Sequence, residues 1–453
     1  MIDINYIRNN PQKVKEVIKL RKVDPQKADV DRLLSLDQQR NEILSEISSV
    51  NQERNKIANI LSTKKDEALI ERGKILKKRE QELSKALESI EKEWFEILSW
   101  IPNIPLDGVK IGKDDSENTE IYAWIPNLGE LEKNQIGGYM DSAKYMPKTP
   151  PHSETEFEGK HHLDLLEELR LCDFKQGAKV SGARFTYLIG DIVKLQFALQ
   201  NFMLEELYRR GFTPINPPLL VKERVLFGTS HFPEGRDQAY EIKSDYLEEK
   251  ESLFLVGSSE PPNFAYAMDK ILDEDELPLK LVATTPCFRT EVGSWGRDTR
   301  GLKRMHQFDK LEMDVICTPE QSEEIYDELL EINKWLLQHL ELPFHIIEKC
   351  TGDMGYNASA KQADVEVWLP GQQTFMEVGT NTNTTDYQAR RLNIKYRKKL
   401  NGEKEYCYTA NDTGIAFGRM IIAIVENYQQ KDGSIKIPKV LVKYMGKEYI
   451  IKR

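Results

Sequence analysis

Between Cys287 and Phe308 the chain reads CFRTEVGSWGRDTRGLKRMHQF, with five cations (Arg289, Arg297, Arg300, Lys303, Arg304) against two acids (Glu291, Asp298). The whole chain carries a formal charge of −10, so this concentration of guanidinium groups is local and runs against the composition. An arginine fixed on a strand offers a planar fork that matches a phosphate. A carboxylate such as Glu291 can accept a hydrogen bond from an exocyclic amine. A phenylalanine on the returning strand, such as Phe308, can stack on a purine. Those parts make an ATP site that needs no glycine cradle. They suit a surface hairpin laced by salt bridges as well, and the segment alone leaves both readings open.

Two further segments could cooperate. Gly414-Ile415-Ala416-Phe417-Gly418-Arg419 opens the apolar helix MIIAIVENYQ, with Arg419 in its first turn. A helix N-terminus with an arginine is a second anion site. Glu377 and Thr380 put a carboxylate and a hydroxyl on one strand, hard oxygen ligands suited to Mg²⁺, although a strand glutamate with a structural role fits that pair too. No GxxxxGK[ST] is present and no GxGxxG follows a strand, so the usual phosphate loops are absent.

Strands must hold these groups. Periodicity predicts one over 281–288, a polar loop through Gly293, Gly296 and Gly301, and a second strand from Arg304 to about Ile316. From about residue 160, amphipathic helices such as DIVKLQFALQNFMLEELYRRG alternate with β-branched runs such as KLVATTPCF and QFDKLEMDVI. That pattern predicts an α+β class with a largely antiparallel sheet flanked by helices. Residues 106–160 are rich in Gly, Pro and Asp and are expected to be a linker plus the first strands.

Residues 31–101 differ from the rest. Leu33, Leu36, Ile43, Ile47, Val50, Ile57 and Leu61 recur at helical seam spacing, as do Leu76, Leu83, Leu87, Ile90, Trp94, Ile97 and Ile101. The polar run 62–66 interrupts them, so an antiparallel helical hairpin about 45 Å long is expected. Arg40 and Arg54 fall on the seam and are expected to weaken it locally. Lys64, Lys65, Arg72, Lys74, Lys77, Lys78 and Arg79 cluster near the tip. The hairpin suits either a solvated dimerisation arm or a lever whose basic end touches a phosphate backbone. Pro102 and Pro105 end its second helix.

Length and composition set the remaining bounds. The chain has 453 residues, 40% of them hydrophobic, enough for two or three domains with sizeable cores. No run approaches about 18 consecutive apolar residues, so no membrane span is expected. The N-terminus lacks an apolar signal core and carries Asp3 and Glu16, which argues against a targeting peptide. Five scattered cysteines without a CxxC pair favour a reducing cytoplasm.

The start MIDINYIRNNP, the helical arm, VSGARFTYLIGDIVKLQFALQNFM, the 287–308 stretch, CTGDMG, DYQARR and GIAFGRMIIAIVENYQ together resemble class II aminoacyl-tRNA synthetases of the bacterial seryl type. The resemblance spans nearly the whole chain. It implies an N-terminal tRNA-binding domain over 1–105, a class II catalytic domain over 106–453 with a six- or seven-stranded antiparallel sheet, and a homodimer with the helix over 192–211 at its interface. It implies serine and ATP as substrates, Mg²⁺, and tRNA(Ser) gripped by the arm of one subunit and by the loop after residue 289. Arg289 would hold the α-phosphate and Glu291 would read the adenine amine. Phe308 would stack on the adenine, with Arg419 on its other face or on the γ-phosphate and Arg304 also at the nucleotide. Glu377 and Thr380 would bind the metal. Ser258, Glu260, Arg289, Glu312, Asn411 and Thr413 would face serine, and the basic tip residues Lys64, Lys65, Arg72, Lys74, Lys77 and Lys78 would meet tRNA.

The serine pocket departs from the family pattern. Ser258-Ser259-Glu260-Pro261 stands where Thr-Ala-Glu-Val is usual, Asn411-Asp412-Thr413 where Asn-Gly-Ser is usual, and Gly379-Thr380-Asn381-Thr382-Asn383 where Ser-Ser-Cys-Ser-Asn is usual. Thr413 keeps a hydroxyl and adds a methyl, Ser258 removes one, and Asp412 is expected to bring a carboxylate beside the pocket. One methyl is worth about 1–3 kcal/mol of discrimination. Three readings follow: an active serine–tRNA ligase, a paralogue with altered amino-acid preference or inhibitor resistance, and a non-catalytic tRNA-binding protein.

Overall fold

The computed structural model describes residues 1–243, 252–292, 301–356 and 358–452. Gly293, Gly296, Arg297, Asp298 and Arg300 therefore lie outside the described residues. The chain divides into two compact units, Met1–Pro102 and Asn103–Arg453.

In the first unit α1 (Ile4–Asn9) and α2 (Pro11–Leu20) precede the hairpin helices α3 (Val30–Leu61) and α4 (Glu67–Trp100). Asp29 and Asp66 cap α3 and α4 by accepting backbone N–H bonds from Arg32 and from Ala68 and Leu69. Val50, Ile57, Leu76 and Leu83 are buried between the two helices. Arg40 and Arg54 do not leave gaps in this seam. Arg40 pairs with Glu91 at 2.9 Å and lies 5.2 Å over the Trp94 ring, and Arg54 pairs with Glu80 at 2.8 Å. The expected weakening is thus offset, because a long side chain packs its stem on the seam while its head reaches an acid on the facing helix.

The second unit is built on one sheet. Its strands are β1 (Thr119–Ile125), β2 (Gly129–Glu130), β3 (Thr213–Pro214), β4 (Leu279–Phe288), β5 (Gln307–Cys317), β6 (Phe344–Glu348), β7 (Lys361–Leu369), β8 (Thr374–Thr385) and β9 (Tyr408–Ala416). Their order is β2-β1-β6-β7-β8-β9-β5-β4-β3. All pairs are antiparallel except β4 with β3. The class is as expected, but the sheet is wider than six or seven strands because the two-residue strands β2 and β3 extend its edges. The 106–160 segment holds the expected first strands, β1 and β2. Strand β1 pairs with β6, and just ahead of the segment Asn103 donates to the Ala358 and Thr384 carbonyls at 2.8 Å each.

Strand alternation separates two faces. On β5, Leu311, Met313 and Val315 join the main core with residues of helices α5 (Asp191–Arg209), α6 (Ser322–His339) and α7 (Phe417–Tyr428). The intervening Phe308, Lys310 and Glu312 face the opposite way and line a cavity.

Candidate functional site

That cavity has a volume of about 850 Å³. Separated stretches of sequence supply its working side chains: 258–260, 289–292, 302–312, 377–380 and 411–419. All twelve expected catalytic, nucleotide, serine and metal residues of the second unit line it: Ser258, Glu260, Arg289, Glu291, Arg304, Phe308, Glu312, Glu377, Thr380, Asn411, Thr413 and Arg419.

At one end Arg289 follows the last residue of β4, whose Cys287 lies opposite Phe308 of β5. The guanidinium sits 5.3 Å from the Phe308 ring centroid, and its Nε donates to the Gly257 carbonyl at 3.1 Å. Glu291 lies 3.6 Å from Arg304. Its φ of 51° is left-handed, a conformation that costs a glutamate on the order of 1–3 kcal/mol and that clusters at functional sites. A flat ring, a guanidinium and a carboxylate thus share one end of the cavity.

Residues three apart on a regular strand face opposite sides, so Glu377 and Thr380 should not share the cavity. A bulge reconciles them. Glu366 pairs with Glu377 and Val365 with Gly379, which leaves Val378 as the extra residue on β8. β9 does the same: Leu311 pairs with Ile415 and Glu312 with Thr413, and the extra residue is Gly414. Thr413 and Ala416 therefore both reach the cavity. Gly379 is held where a Cβ would lie 2.8 Å from the Thr413 carbonyl oxygen. Gly379→Ala is expected to lower stability by about 1–3 kcal/mol, measured by thermal unfolding, because the opposing atom belongs to the backbone and cannot swing aside.

Arg419 is the third residue of α7, and its Nη1 donates to the Glu377 carbonyl at 2.9 Å and to Glu377 Oε1 at 2.8 Å. Gly418 lets the backbone at Leu302 pass close to the start of α7, since a Cβ there would meet the Leu302 carbonyl oxygen at 2.6 Å. The Thr380 hydroxyl donates to Asp364 Oδ1 at 2.8 Å.

The deep end is ionic. Glu312, 1% exposed, is ion-paired with Lys310 and accepts long hydrogen bonds from Asn411 and Thr413, 3.4 Å each. Burial, with the Glu312 charge nearby, pushes the Glu260 carboxyl up to about 7, although Gln388 donates to it at 2.7 Å. Burial and the charges of Arg289 and Lys310 push His231 down to about 3, which keeps that ring neutral. Ser258 Oγ accepts from the Glu260 backbone N–H at 3.2 Å. Asp412 is a correction. It sits on β9 between two cavity residues, so alternation turns it to the helix-packed face, where it is fully buried. No carboxylate is added to the pocket.

Sequence reasoning missed Lys310, His231 and Gln388. Lys310 was findable, because Phe308, Lys310 and Glu312 alternate on one strand face. His231 and Gln388 reach Glu260 only through tertiary packing.

Of the expected tRNA contacts in the first unit, Arg72 is held by Glu53 at 2.8 Å and Lys74 by Glu71 at 3.1 Å. Among the described residues, Lys64, Lys65, Lys77 and Lys78 are exposed and enter no ion pair. No helix is long and apolar enough to cross a membrane among the described residues.

Comparison with known proteins gives a consistent result. Residues 1–105 match the seryl-tRNA synthetase N-terminal domain, and residues 240–428 match the tRNA synthetase class II core domain of the G, H, P, S and T enzymes. The serine–tRNA ligase of Dictyoglomus turgidum is 40% identical over 450 residues, covering 98% of each chain. That of Pyrococcus furiosus is 40% identical over 456 residues, covering 100% of this chain and 98% of the other. Among solved structures, the seryl-tRNA synthetase of Pyrococcus horikoshii complexed with ATP has a TM-score of 0.86 at 38% identity, with full coverage of both chains. The cytoplasmic serine–tRNA ligase of Naegleria fowleri in complex with AMP has a TM-score of 0.81 at 29% identity, covering 100% and 99% of the two chains. With both of its units matched and its full length shared, the chain belongs to the seryl-tRNA synthetases, ATP-using ligases of class II.

Proposed function

We propose that this chain activates serine with ATP and loads it onto tRNA(Ser). The observation that carries this reading is the convergence of the twelve side chains on one cavity. In the first step the serine carboxylate oxygen attacks the α-phosphorus. The new O–P bond gives seryl-adenylate, and the bond to the β-phosphate oxygen breaks to release pyrophosphate. In the second step a terminal hydroxyl of tRNA attacks the seryl carbonyl and AMP leaves. No protein nucleophile is required, so alignment and charge neutralisation supply the catalysis.

Arg289 neutralises the α-phosphate, Glu291 reads the adenine amine, Phe308 stacks on the base, and Arg304 and Arg419 take the distal phosphates. The Glu377 carboxylate and the Thr380 hydroxyl are hard oxygen donors on one face of β8, a set that fits Mg²⁺. Bound there, the ion supplies further charge neutralisation on the triphosphate. Glu260 and Glu312 attract the serine ammonium, while Thr413 and Asn411 meet the polar substrate. The exposed Phe197 (56%) and Tyr208 (72%) on α5 support a homodimer built on that helix. We assign tRNA recognition to the 1–105 domain and its arm, catalysis to 106–453, and the site of action to the cytoplasm, where five free buried thiols stay reduced.

Pyrophosphate exchange with each of the twenty amino acids tests this reading. Exchange with serine alone supports it. Exchange with a different amino acid would favour the altered-specificity reading, which the extra methyl of Thr413 motivates. No exchange would leave a tRNA-binding protein.

A pH dependence follows from Glu260. A carboxyl raised to about 7 is largely neutral below that pH and attracts an ammonium only above it. The KM for serine should therefore rise as pH falls from 8 to 6, approaching about tenfold per pH unit at the acid end. Glu260→Gln should flatten that profile at the high-KM level.

A further inference from the structure

We propose that Asp364 is a positioning residue for the metal side of the cavity: by accepting the Thr380 proton, it turns the lone pairs of the Thr380 oxygen toward the divalent cation that accompanies ATP. The inference rests on the placement of that cation at Glu377 and Thr380 proposed above.

Asp364 stands directly opposite Thr380 in the β7–β8 register. Thr380 Oγ1 donates to Asp364 Oδ1 at 2.8 Å. A hydroxyl has one proton and two acceptor lone pairs. Once the proton is committed to a carboxylate, only lone pairs are left to face the cavity, which Thr380 lines and Asp364 does not. Without that acceptor the hydroxyl can rotate and present its proton, which repels a cation.

The other carboxylate oxygen is held as well. Lys349 Nζ lies 3.3 Å from Asp364 Oδ2 and 3.1 Å from Asp353 Oδ2, with its side chain only 16% exposed. One oxygen thus meets a hydroxyl and the other an ammonium. The ammonium offsets the burial of the carboxylate. Carboxylates that hold a ligand in place in this way are commonly worth 10–100-fold in metal affinity.

Mn²⁺ titrated into the full-length chain with saturating ATP, followed by electron paramagnetic resonance, reads the effect without turnover. Asp364→Ala should raise the Mn²⁺ Kd by about tenfold, with metal-free ATP affinity and the KM for serine little changed. Because Asp364→Ala leaves Lys349 short of a partner and can unfold the chain, the apolar pair Asp364→Leu with Lys349→Met provides a second version and should show the same loss. Thr380→Val should reproduce it, and adding either Asp364 change to Thr380→Val should cost nothing more. Unchanged Mn²⁺ affinity in the apolar pair, or losses that multiply with Thr380→Val, would overturn the inference. Glu377→Ala separates the two levels. If it weakens Mn²⁺ binding while the Asp364 variants do not, only the role of Asp364 fails. If Glu377→Ala has no effect either, the metal placement fails with it.

Discussion

Arg289→Ala is expected to reduce kcat for serine-dependent pyrophosphate exchange by about 10²–10³-fold. The guanidinium is placed by three separate constraints. Its residue follows the end of β4, its backbone N–H donates to the His306 carbonyl at 3.0 Å, and its Nε donates to the Gly257 carbonyl at 3.1 Å. A cation fixed before the reaction begins needs no reorganisation as charge builds on the α-phosphate, which is why such a group acts on kcat more than on KM. Arg289→Lys keeps the charge but loses the planar fork, and the Nε anchor to Gly257 goes with it. It should recover only part of the loss. Substitution of Phe308 removes stacking area common to bound ATP and to the transition state, so it should raise the KM for ATP with less effect on kcat. A kcat unchanged in Arg289→Ala would sink the assignment of this residue to the α-phosphate.

The parts of this architecture that were legible in the sequence are those set by short-range pattern. The hairpin seam needs only spacings of three and four, and α3 and α4 break where the polar run 62–66 stands. The alternation of Phe308 and Glu312 announces one strand face, and the glycines beside Arg419 announce a close approach. What stayed hidden depends on partners distant in the chain. Whether Glu377 and Thr380 share a side is decided by the Val378 bulge, and that bulge exists only in the pairing of β8 with β7. Asp412 looked like a pocket residue because its neighbours are, yet alternation sends it to the helix face. The Lys349–Asp364 pair joins the residue that follows β6 to the neighbouring strand β7, and no local signal marks either one.

The arm gives the other large effect. Excising residues 41–90 and joining the ends with a short glycine linker should leave pyrophosphate exchange within about twofold and lower tRNA charging by at least about 100-fold, since phosphate contacts supply much of the affinity for nucleic acid. The cut respects the packing. Val50, Ile57, Leu76 and Leu83 form a cluster of their own, and it leaves as a unit. Leu33, Leu36, Leu98 and Ile101, each no more than 2% exposed, remain at the base with the Arg32–Glu93 pair at 2.7 Å. A finer change separates charge from shape. Lys64, Lys65, Lys77 and Lys78 can meet phosphates without first breaking an ion pair, whereas Arg72 must leave Glu53. Replacing those four lysines by alanine should therefore weaken tRNA binding and flatten its dependence on log salt by about 0.7–0.9 per lost contact. The Arg72→Ala change should do less. Charging that survives the excision would mean that tRNA is held without the arm, and the basic tip would then be only a solvated surface.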